Sequence, residues 1–505
     1  MSKSQYTIVE YHSKQEGNRC GYCSSPNTSC SHGMTAQTMT VHHYQSLIDR
    51  GWRRSGLYCY KPMMKQTCCP HYTIKCNALE FKISRSQKKI LKRMIKFLKG
   101  ESIKDEQASR SGGDRDTGRN MEIPDYSHFT ERAEQNASKM QVTSIAEEIS
   151  GRLEASESHN KVNSSVKEPA IARTNSISEP MDTSSREERR ANFDPSRGPQ
   201  KKAKFLRIER KRNKLIAQGK TKEEIEVLMK KRKTKNLGKS LEDYFTEISN
   251  CSSKLELRLV RTSPTSDVYK CSAKESFELY KKYQMGIHND KLFKLTEDRF
   301  TKFLVKSPLR EWHSERDDPS QGYGSFHEQY WLNGTLIAVG VIDILPLCIS
   351  SVYFFYDPAY SHLSLGTFSS LREVYLTRQL NKDAPNLKYY YMGFYIHSCP
   401  KMRYKAKMRP SELLCPETYV WCDIVRCLPK LDVSKYSRLN DDASAVDENR
   451  DVDIGLVLIL FRKKVMAYGA FKTFLEDDTL EEEIKEYSSL VGKECASSMF
   501  YYIDD

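Results

Sequence analysis

Two pairs of cysteines near the amino end have types and spacing that suit metal binding. Cys20 and Cys23 are separated by two residues, and Cys68 and Cys69 are adjacent, with His71 close behind. A Cys-x-x-Cys pair can direct both sulfurs at one ion, and a second pair carried by a loop completes a four-thiolate site. Four sulfurs suit zinc or an iron–sulfur cluster, and His71 is an alternative ligand. The other interpretation is a group of reduced thiols in a small core.

A second candidate is a single acid within an apolar stretch. Asp343 lies among branched apolar residues, three positions before Pro346. A carboxylate in such a segment indicates a function, and a general base that takes a proton from a reacting group is one. The alternative is that Asp343 caps a strand end by accepting backbone N–H bonds.

The third candidate combines aromatic residues with cations. A tyrosine-rich run begins at Tyr389 and leads into a basic loop. The basic residues of this loop are Lys401, Arg403, Lys405, Lys407 and Arg409. Rings interleaved with cations suit a nucleotide end or an anionic side chain. Alternatively, the tyrosines belong to the core and the cations to a solvated loop.

The elements around these candidates predict one α/β domain. Asn333-Gly334 between two apolar runs predicts a β-hairpin, because this dipeptide accepts the positive φ angles of a two-residue turn. The expected elements are strands at Phe326–Leu332, Thr335–Ile344, Ile349–Tyr356 and Leu387–Ile396, and a helix at Leu365–Leu380. Three strands, a helix and a fourth strand follow the order of the acyltransferase fold shared by many N-acetyltransferases (GNAT), so a mixed sheet of that kind is expected.

Changes of composition predict four segments. Residues 1–100 form a Cys-rich domain with the metal site and end in a helix at Ser86–Leu98; residues 101–200 are polar, with few aromatics, and read as a disordered linker. Residues 201–240 contain basic helices, broken at Gly219 and restarted by a capping box at Thr221. These helices lie on RNA or, alternatively, form a solvated helical hairpin that covers a core. Residues 241–505 form the catalytic domain, in which 454–461 predicts a strand and 478–490 an acidic helix.

Charge and hydropathy narrow the classes of protein. The net charge is +15 with a pI near 9.0, which favours nucleic acid as a partner or, alternatively, indicates a solvated basic surface. The amino end has no apolar run typical of a secretory signal, so export is not expected. The most apolar stretch, 336–356, is interrupted by Asp343 and Pro346, which favours buried strands over a membrane helix. Fifteen cysteines in such a chain indicate thiols or metal ligands rather than a disulfide framework.

Several longer motifs, taken together, resemble one family, the eukaryotic arginyl-tRNA–protein transferases. The motifs are the two cysteine pairs, Ser325-Phe-His-Glu-Gln-Tyr-Trp331, Val341-Ile-Asp-Ile-Leu-Pro346, Ser364-Leu-Gly366, Tyr391-Met-Gly393, Ile396-His-Ser-Cys-Pro-Lys-Met-Arg-Tyr-Lys405 and Leu413-Leu-Cys-Pro-Glu-Thr418. The resemblance covers residues near 1–95 and most of 200–430. It implies transfer of arginine from charged tRNA to the N-terminal amine of proteins that begin with Asp, Glu or oxidised Cys.

The resemblance also implies roles for particular residues. Asp343 is expected to be the base, and Gln329 to position the amine or the ester, although a two-residue turn would pair Gln329 with Ala338. Arg403 is expected to bind the acidic side chain of the acceptor, because its planar fork meets a carboxylate with two bonds. The other expected substrate contacts are Lys401, Lys405, Tyr404 and His327.

Further expectations concern partners and cofactors. Residues 201–235 and 401–409 are expected to hold the tRNA acceptor stem. The four cysteines resemble the family's iron–sulfur site, with zinc as the alternative, in a regulatory or architectural role. Because an ester is already activated, neither ATP nor acyl-CoA is needed. A monomer without membrane contact is expected in the cytoplasm, and also in the nucleus, with its products marked for ubiquitin-dependent degradation through the N-degron pathway.

Two other functions remain open from the residues alone. An acetyltransferase would carry a Gly-rich loop for its cofactor at the helix start, and residues 360–371 hold only Gly366. A zinc-bearing nucleic-acid-binding protein without catalysis would explain the cysteines and the basic segments, but it leaves Asp343 unexplained.

Overall fold

The computed structural model describes residues 6–101, parts of 209–224, 238–314, 316–474 and 478–504. Nearly all of the predicted linker, and most of the predicted basic helices, lie outside the described residues. Residues 6–101 and 240–504 belong to one compact unit. Among the described residues, no helix is both long and apolar enough to cross a membrane.

The described strands form two mixed sheets. In chain order they are β1 (Ile8–Asn18), β2 (Ser29–Thr38), β3 (Arg53–Ser55), β4 (Tyr58–Pro62), β5 (Tyr72–Asn77), β6 (Leu255–Ser263), β7 (Gly324–Leu332), β8 (Thr335–Ile344), β9 (Cys348–Tyr356), β10 (Tyr389–Tyr395), β11 (Ser411–Leu414), β12 (Trp421–Asp423), β13 (Leu458–Phe461), β14 (Lys464–Ala467) and β15 (Phe500–Tyr502). The first sheet has the order β14-β13-β15-β1-β2-β4-β3, and the second β12-β11-β5-β10-β9-β8-β7-β6.

Helices cover both faces of the second sheet. The α-helices of this unit are α1 (Val41–Ile48), α2 (Arg85–Leu98), α3 (Leu241–Ser249), α4 (Asp267–Tyr283), α5 (Glu297–Phe300), α6 (Leu365–Leu380), α7 (Ile424–Val433), α8 (Tyr468–Phe471), α9 (Asp478–Val491) and α10 (Lys493–Ala496). Val339 and Val341 of β8 pack with α4 and α5, whereas Ala338 packs with α2, α3 and α6. This division follows from the two-residue period of a strand, which sends alternate side chains to opposite faces.

The predicted order of three strands, a helix and a strand is present as β7-β8-β9-α6-β10. The α/β class is confirmed, and the arrangement is consistent with an acyltransferase-like sheet. The bounds of α6 are those predicted, and the predicted strands and the helices at 86–98 and 478–490 agree with the structure to within about four residues. These agreements reflect strong local signals, such as the capping box at Ser84 that begins α2.

The hairpin of β7 and β8 has the predicted turn but a different register. Asn333 and Gly334 both have positive φ, as a two-residue turn requires. However, Gln329 lies opposite Val339 and not Ala338, because Ile337 is an extra residue on β8 between the pairs that Tyr330 and Trp331 make. The Ile337 carbonyl instead accepts a bond from the Asp357 backbone N–H. The predicted pairing of Gln329 with Ala338 is therefore wrong by one position, because a β-bulge follows the turn.

The first hundred residues are shared between the two sheets. β1 to β4 lie in the first sheet beside β13 to β15, while β5 lies in the second sheet between β10 and β11. The cysteine-rich segment is thus not a unit of its own in this fold. Composition cannot reveal this, because pairing between strands distant in sequence leaves no local signal.

Strands β9 and β10 are parallel neighbours that pair only at one end. Tyr389 to Tyr391 align with Cys348 to Ser350, and the pairing stops there. Beyond Tyr391, β10 has an irregularity at Gly393, whose φ of 67° favours glycine, and continues beside β5. The two strands therefore separate and leave an opening in the sheet.

Candidate active site

The opening between β9 and β10 contains a cavity of about 290 Å³. Its walls include Ser350–Phe354 of β9 and Met392–Phe394 of β10, and the first turns of α6 contribute Gly366, Ser369 and Ser370. Clefts of this size that combine aromatic side chains with a few polar groups are typical ligand sites. The cavity is therefore the candidate active site.

Two cations line the cavity and form no ion pair among the described residues. Arg53 is nearly fully buried; its guanidinium donates to the carbonyl oxygens of Trp52 (2.9 Å) and Gly393 (3.4 Å), and its Nε has no hydrogen-bond partner in the described structure. The Lys405 ammonium donates to the carbonyl oxygens of Met392 (2.8 Å) and Phe394 (2.7 Å). Burial, followed by the nearby charge of Arg53, lowers the pKa of Lys405 to about 8. Unpaired buried cations attract an anionic ligand.

A buried carboxyl lies behind the hydroxyl groups of the cavity wall. Glu373 of α6 is 1 % exposed, and its Oε1 accepts a hydrogen bond from Ser369 Oγ at 2.8 Å. Its Oε2 has no hydrogen-bond partner among the described residues. Burial raises the pKa of Glu373 to about 7, although the hydroxyls of Ser369, Tyr390 and Ser351 act to lower it. Near neutral pH this group can therefore exchange a proton.

Asp343 has a different environment. Its side chain is fully buried and receives a two-bond contact from Arg54, at 2.8 and 2.6 Å, and a third bond from Ser325 Oγ at 2.6 Å. Asp343 is not among the residues that line the cavity, whereas Arg54 is. The contact joins β8 of the second sheet to β3 of the first. Its role as the base stays a prediction, and the geometry gives it an architectural role.

Gln329 and His327 lie on the same strand, away from the cavity lining. The Gln329 amide donates to Ser272 Oγ at 2.7 Å and accepts from the Trp331 indole at 3.0 Å. His327 is fully buried, its Nε2 bonds to the carbonyl oxygen of Leu304 at 2.9 Å, and burial lowers its pKa to about 4. Both side chains are therefore held by α4 and the segment that follows α5, and their predicted contacts with substrate have no support in this geometry.

The basic loop after β10 divides into two groups. Tyr404 and Lys405 line the cavity, as predicted for substrate contacts. Arg403 is exposed and Lys401 is partly exposed, and neither is among the lining residues. The loop turns through two short 3-10 helices, which direct neighbouring residues to opposite sides.

The four predicted cysteines meet at one place. The Sγ atoms of Cys20, Cys23, Cys68 and Cys69 all lie within 4.8 Å of one another, so the set can hold a metal ion. Thr28 Oγ1 donates to Cys68 Sγ at 3.1 Å, a contact that would orient a ligand. His71 is outside this set: its ring contacts the rings of Tyr22 and Phe394, at 4.9 and 5.3 Å.

The thiols differ in how readily they ionise. Burial acts to raise the pKa of Cys23, but hydrogen bonds with Ser25, Cys68 and Cys69 outweigh it and lower this pKa to about 6. Burial raises the pKa of Cys68 to about 11, and the pKa of Cys69 is also raised. A metal ion would stabilise all four as thiolates. Gly21 and Tyr22, between the first two cysteines, also line the cavity, so the metal loop forms part of its wall.

Helix α2 presents a basic stripe next to the start of α6. The basic stripe consists of Arg85, Lys89, Lys92 and Lys96, which are exposed at helical spacing and form no ion pair among the described residues. On its other side α2 buries Leu91, Met94, Ile95 and Leu98. The Arg93 guanidinium donates to the His362 carbonyl oxygen at 3.0 Å and to Ser364 Oγ at 3.2 Å, which ties α2 to α6 beside the cavity.

Of the predicted basic helices, only parts are described. Residues 209–217, with gaps, are helical and end in a turn at Gly219. Thr221 and Glu224 exchange the two predicted capping bonds, from the Glu224 N–H to Thr221 Oγ1 (3.3 Å) and from the Thr221 N–H to Glu224 Oε2 (3.2 Å). The capping box is confirmed.

Sequence reasoning missed Arg53, Arg54 and Glu373. The adjacent arginines lie in a three-residue strand, too short for a periodic signal. Glu373 had a weak signal, because it falls four residues after Ser369 and four before Thr377 on a helix face that is otherwise mostly apolar. Their importance depends on which partners the fold supplies.

Family models match two parts of the chain. The model described as "Arginine-tRNA-protein transferase, N terminus" matches residues 18–89, which include the four cysteines and Arg53. The model described as "Arginine-tRNA-protein transferase, C terminus" matches residues 275–415, which include Glu373 and Lys405.

Whole proteins are also similar to this chain. Arginyl-tRNA–protein transferase 1 of Drosophila melanogaster is 42% identical over 505 residues, covering 98% of this chain and 99% of its own length. Arginyl-tRNA–protein transferase 1 of Arabidopsis thaliana is 34% identical over 86% of this chain and 76% of its own length. An aspartate/glutamate leucyltransferase of Pseudomonas fluorescens is 38% identical over 30% of this chain and 56% of its own length.

Proposed function

The chain belongs to the arginyl-tRNA–protein transferase family, and from that premise we propose that its cavity joins arginine, delivered on tRNA, to proteins that begin with an acidic residue. Membership of the family makes the chain an aminoacyltransferase. The bond made is an amide between the arginyl carbonyl carbon and the N-terminal nitrogen of the acceptor. The bond broken is the ester to the terminal ribose of the tRNA.

The proposal for an acidic acceptor rests on Arg53 and Lys405, two cations of the cavity that form no ion pair among the described residues. A carboxylate that enters beside Arg53 and Lys405 gains charge-assisted bonds in a setting poor in water. Arg53 supplies an Nε–H with no partner among the described residues, and Lys405 supplies a charge held by two carbonyl oxygens. We assign the acceptor side chain to these two residues instead of Arg403, which is exposed.

The reaction requires the protein to position the amine and the ester and to transfer protons, rather than to form a covalent intermediate. An ester reacts with an amine without further activation, so holding the two together supplies much of the rate. The negative oxygen that forms on the ester carbon needs hydrogen-bond donors. Ser350 Oγ lies in the cavity wall without a hydrogen-bond partner in the described structure, and Tyr404 contributes a hydroxyl there. We propose these hydroxyls as donors to that oxygen.

The basic stripe of α2 is our candidate surface for the tRNA. Its cations face solvent together, and α2 is tied through Arg93 to the start of α6, which borders the cavity. A phosphate backbone that follows the stripe would bring the 3′ end towards the opening, and its binding would weaken steeply with salt. The predicted contribution of residues 201–235 falls mostly outside the described residues and remains a proposal.

We propose a four-thiolate metal centre on Cys20, Cys23, Cys68 and Cys69. A single tetrahedral ion with bonds of about 2.3 Å sets its sulfurs roughly 3.8 Å apart, which matches the compact set. An iron–sulfur cluster uses the same four thiolates with a wider spread. The metal would fix the loop that carries Tyr22 in the cavity wall, an architectural role that requires no electron transfer.

Metal content after anaerobic purification tests this centre. Cys23→Ser is expected to lose the bound metal and Cys30→Ser, a control outside the set, to keep it. Iron with acid-labile sulfide would identify a cluster, and zinc alone a single ion. Neither metal in the native protein would contradict the proposal.

The transfer itself is tested with arginine radiolabelled on tRNA and peptides that begin with Asp, Glu or Ala. Label on the acidic peptides, and not on the Ala peptide, is the expected result. Equal labelling of all three would contradict the acidic acceptor, and tRNA binding without transfer would favour a non-catalytic nucleic-acid-binding protein. From the family alone we extend the proposal to oxidised Cys as an acceptor and to ubiquitin-dependent degradation of the products.

A further inference from the structure

A base is needed inside the cavity, because the reacting amine begins as an ammonium. In the proposed reaction the ammonium gives up one proton, and the nitrogen lone pair then attacks the ester carbon. The C–N bond forms, the C–O bond breaks, and the ribose oxygen leaves with a second proton from the same nitrogen. One proton per transfer must therefore be accepted by the protein and passed to solvent.

We propose that Glu373 accepts this proton, through the hydroxyl groups of Ser369, Tyr390 and Ser351 that separate it from the cavity. This inference rests on the transfer function proposed above. The hydroxyl nearest the ammonium takes a proton from it and passes its own proton to the Glu373 carboxylate. Because Glu373 reaches the substrate through other groups, it is a positioning residue of the proton relay.

The contacts of Glu373 support this role. Its Oε1 is held by Ser369 Oγ at 2.8 Å, while Oε2 lacks a hydrogen-bond partner in the described structure although the side chain is almost completely buried. A buried carboxyl oxygen without a donor costs stability, so its presence calls for an explanation, and a role in proton transfer supplies one. Ser369, Ser351 and Tyr390 all line the cavity, so protons have a route between the two.

None of the charged and titratable groups around Glu373 named below forms an ion pair with it or takes its proton near neutral pH. These groups are Glu328 and Tyr330 of β7, Arg372 of α6 itself, Tyr390 of β10, and Tyr404 and Lys405 of the loop that follows. Arg372 is engaged by Glu328 at 2.8 Å, so its charge is already compensated. The pKa of Tyr404 is raised to about 12 and that of Tyr390 further, mainly by burial, so both keep their protons near neutral pH.

Lys405 and Asp343 are weaker candidates for this proton. Burial lowers the pKa of Lys405 only to about 8, so near neutral pH it is mostly an ammonium that already carries its proton and donates to two carbonyl oxygens. Neither Asp343 nor Glu373 lines the cavity, but Asp343 is held by Arg54 and Ser325, whereas the groups between Glu373 and the cavity are hydroxyls. Glu373 combines proximity to the cavity, a free oxygen and a pKa raised by burial to about 7.

The test is the pH dependence of transfer by the full-length protein, using arginyl-tRNA and a peptide that begins with Asp. Glu373→Gln keeps an acceptor for Ser369 and removes the proton-accepting group. It is expected to lower kcat at least about 100-fold at pH 7.5, with the KM for tRNA and peptide nearly unchanged. The acidic limb of the wild-type profile should lie near pH 7, where Glu373 titrates, whereas the limb of the variant should follow the peptide amine, at about pH 8. The exposed Glu278→Gln of α4 is the control.

Ser369→Ala is a second variant, useful also if Glu373→Gln folds poorly. The Ser369 hydroxyl acts to lower the pKa of Glu373, so its loss should move the acidic limb of the profile to higher pH. A merely structural role would not move that limb.

Three results would overturn the proposal. If Glu373→Gln transfers arginine with the kcat and the pH profile of the wild type, the relay is excluded and the transfer function stands. A raised KM for arginyl-tRNA at unchanged kcat would instead show that Glu373 holds the arginyl group. Failure of the wild-type protein to transfer arginine would contradict the proposed function itself, with which the relay also falls.

Discussion

The two carboxylates Asp343 and Glu373 are almost equally buried, at 0 % and 1 % exposure, yet their surroundings differ in kind. Asp343 meets Arg54 with two bonds and Ser325 with a third, so its charge is matched where two sheets meet. Glu373 meets hydroxyl groups and no cation of the described residues at ion-pair distance. Burial alone therefore does not distinguish a structural acid from a reactive one; the partner does.

The neighbouring arginines repeat this contrast. Arg54 is held by Asp343, whereas Arg53 donates only to carbonyl oxygens and keeps an Nε without a partner in the described structure. Both line the same cavity. The paired cation fixes the wall, and the unpaired one is available to an anionic substrate.

Breaking the Arg54–Asp343 pair should have the largest effect, and on stability. Asp343→Asn and Arg54→Gln each leave a buried charge without its partner, which costs about 3–5 kcal/mol of unfolding free energy. Similar decreases of the thermal midpoint in both variants, followed by circular dichroism, are expected. Asp267→Asn, at an exposed ion pair with Lys270, is the control and should change little. If Asp343→Asn melts like the wild type but has lost transfer, Asp343 is the base after all.

Glu373 should make the stability of the protein fall as pH rises. Burial raises its pKa from the usual 4.5 to about 7, so the folded state holds the proton more tightly than the unfolded chain. The stabilisation is complete below pH 4.5 and is lost as pH rises through 7, by roughly 3 kcal/mol at most. The difference between urea midpoints of the wild type and Glu373→Gln from pH 4 to 8 measures this. A constant difference would show that Glu373 has an ordinary acid's environment.

Arg53→Gln should affect the acceptor peptide. Loss of a charge-assisted bond, worth roughly 1.5–3 kcal/mol, raises the KM for a peptide beginning with Asp by about 10–100-fold, with tRNA binding retained. Arg403→Gln, the residue favoured by the sequence, provides the matched comparison and should have little effect. If Arg403→Gln raises this KM and Arg53→Gln does not, the acceptor side chain binds at Arg403 in the exposed loop.

Substitutions in the basic stripe are expected to have the smallest effect per residue, and that effect is on tRNA binding. Lys89, Lys92 and Lys96 changed together to Ala should weaken tRNA binding and reduce the slope of log affinity against log salt by about 2–3. The control is a triple variant of α4, on the other face of the sheet, in which Lys270, Lys274 and Lys282 are changed to Ala. It removes the same number of charges from the protein. Equal losses in both triple variants, measured by filter binding, would mean that the stripe is not the tRNA surface.

Local signals predicted much of the fold. The turn at Asn333-Gly334 and the helix Leu365–Leu380 were read from the chain because their determinants are neighbours in sequence. The one-residue error at Gln329 arose because a bulge at Ile337 is stabilised by Asp357, twenty residues further along. The placement of β5 between β10 and β11 has no local signal at all.

The residue types and their short spacing were enough to identify the four cysteines that can hold a metal ion, the family, and the order of strands and helix. The pairing of charges became visible only in the folded chain. Arg54 meets Asp343 across 289 positions of chain, while Arg53 lines the opening between β9 and β10 and Glu373 lies behind its wall, each without an ion-pair partner among the described residues. Partners of this kind are set by the packing of distant elements, and that packing distinguishes the acid that supports the fold from the acid placed to accept a proton.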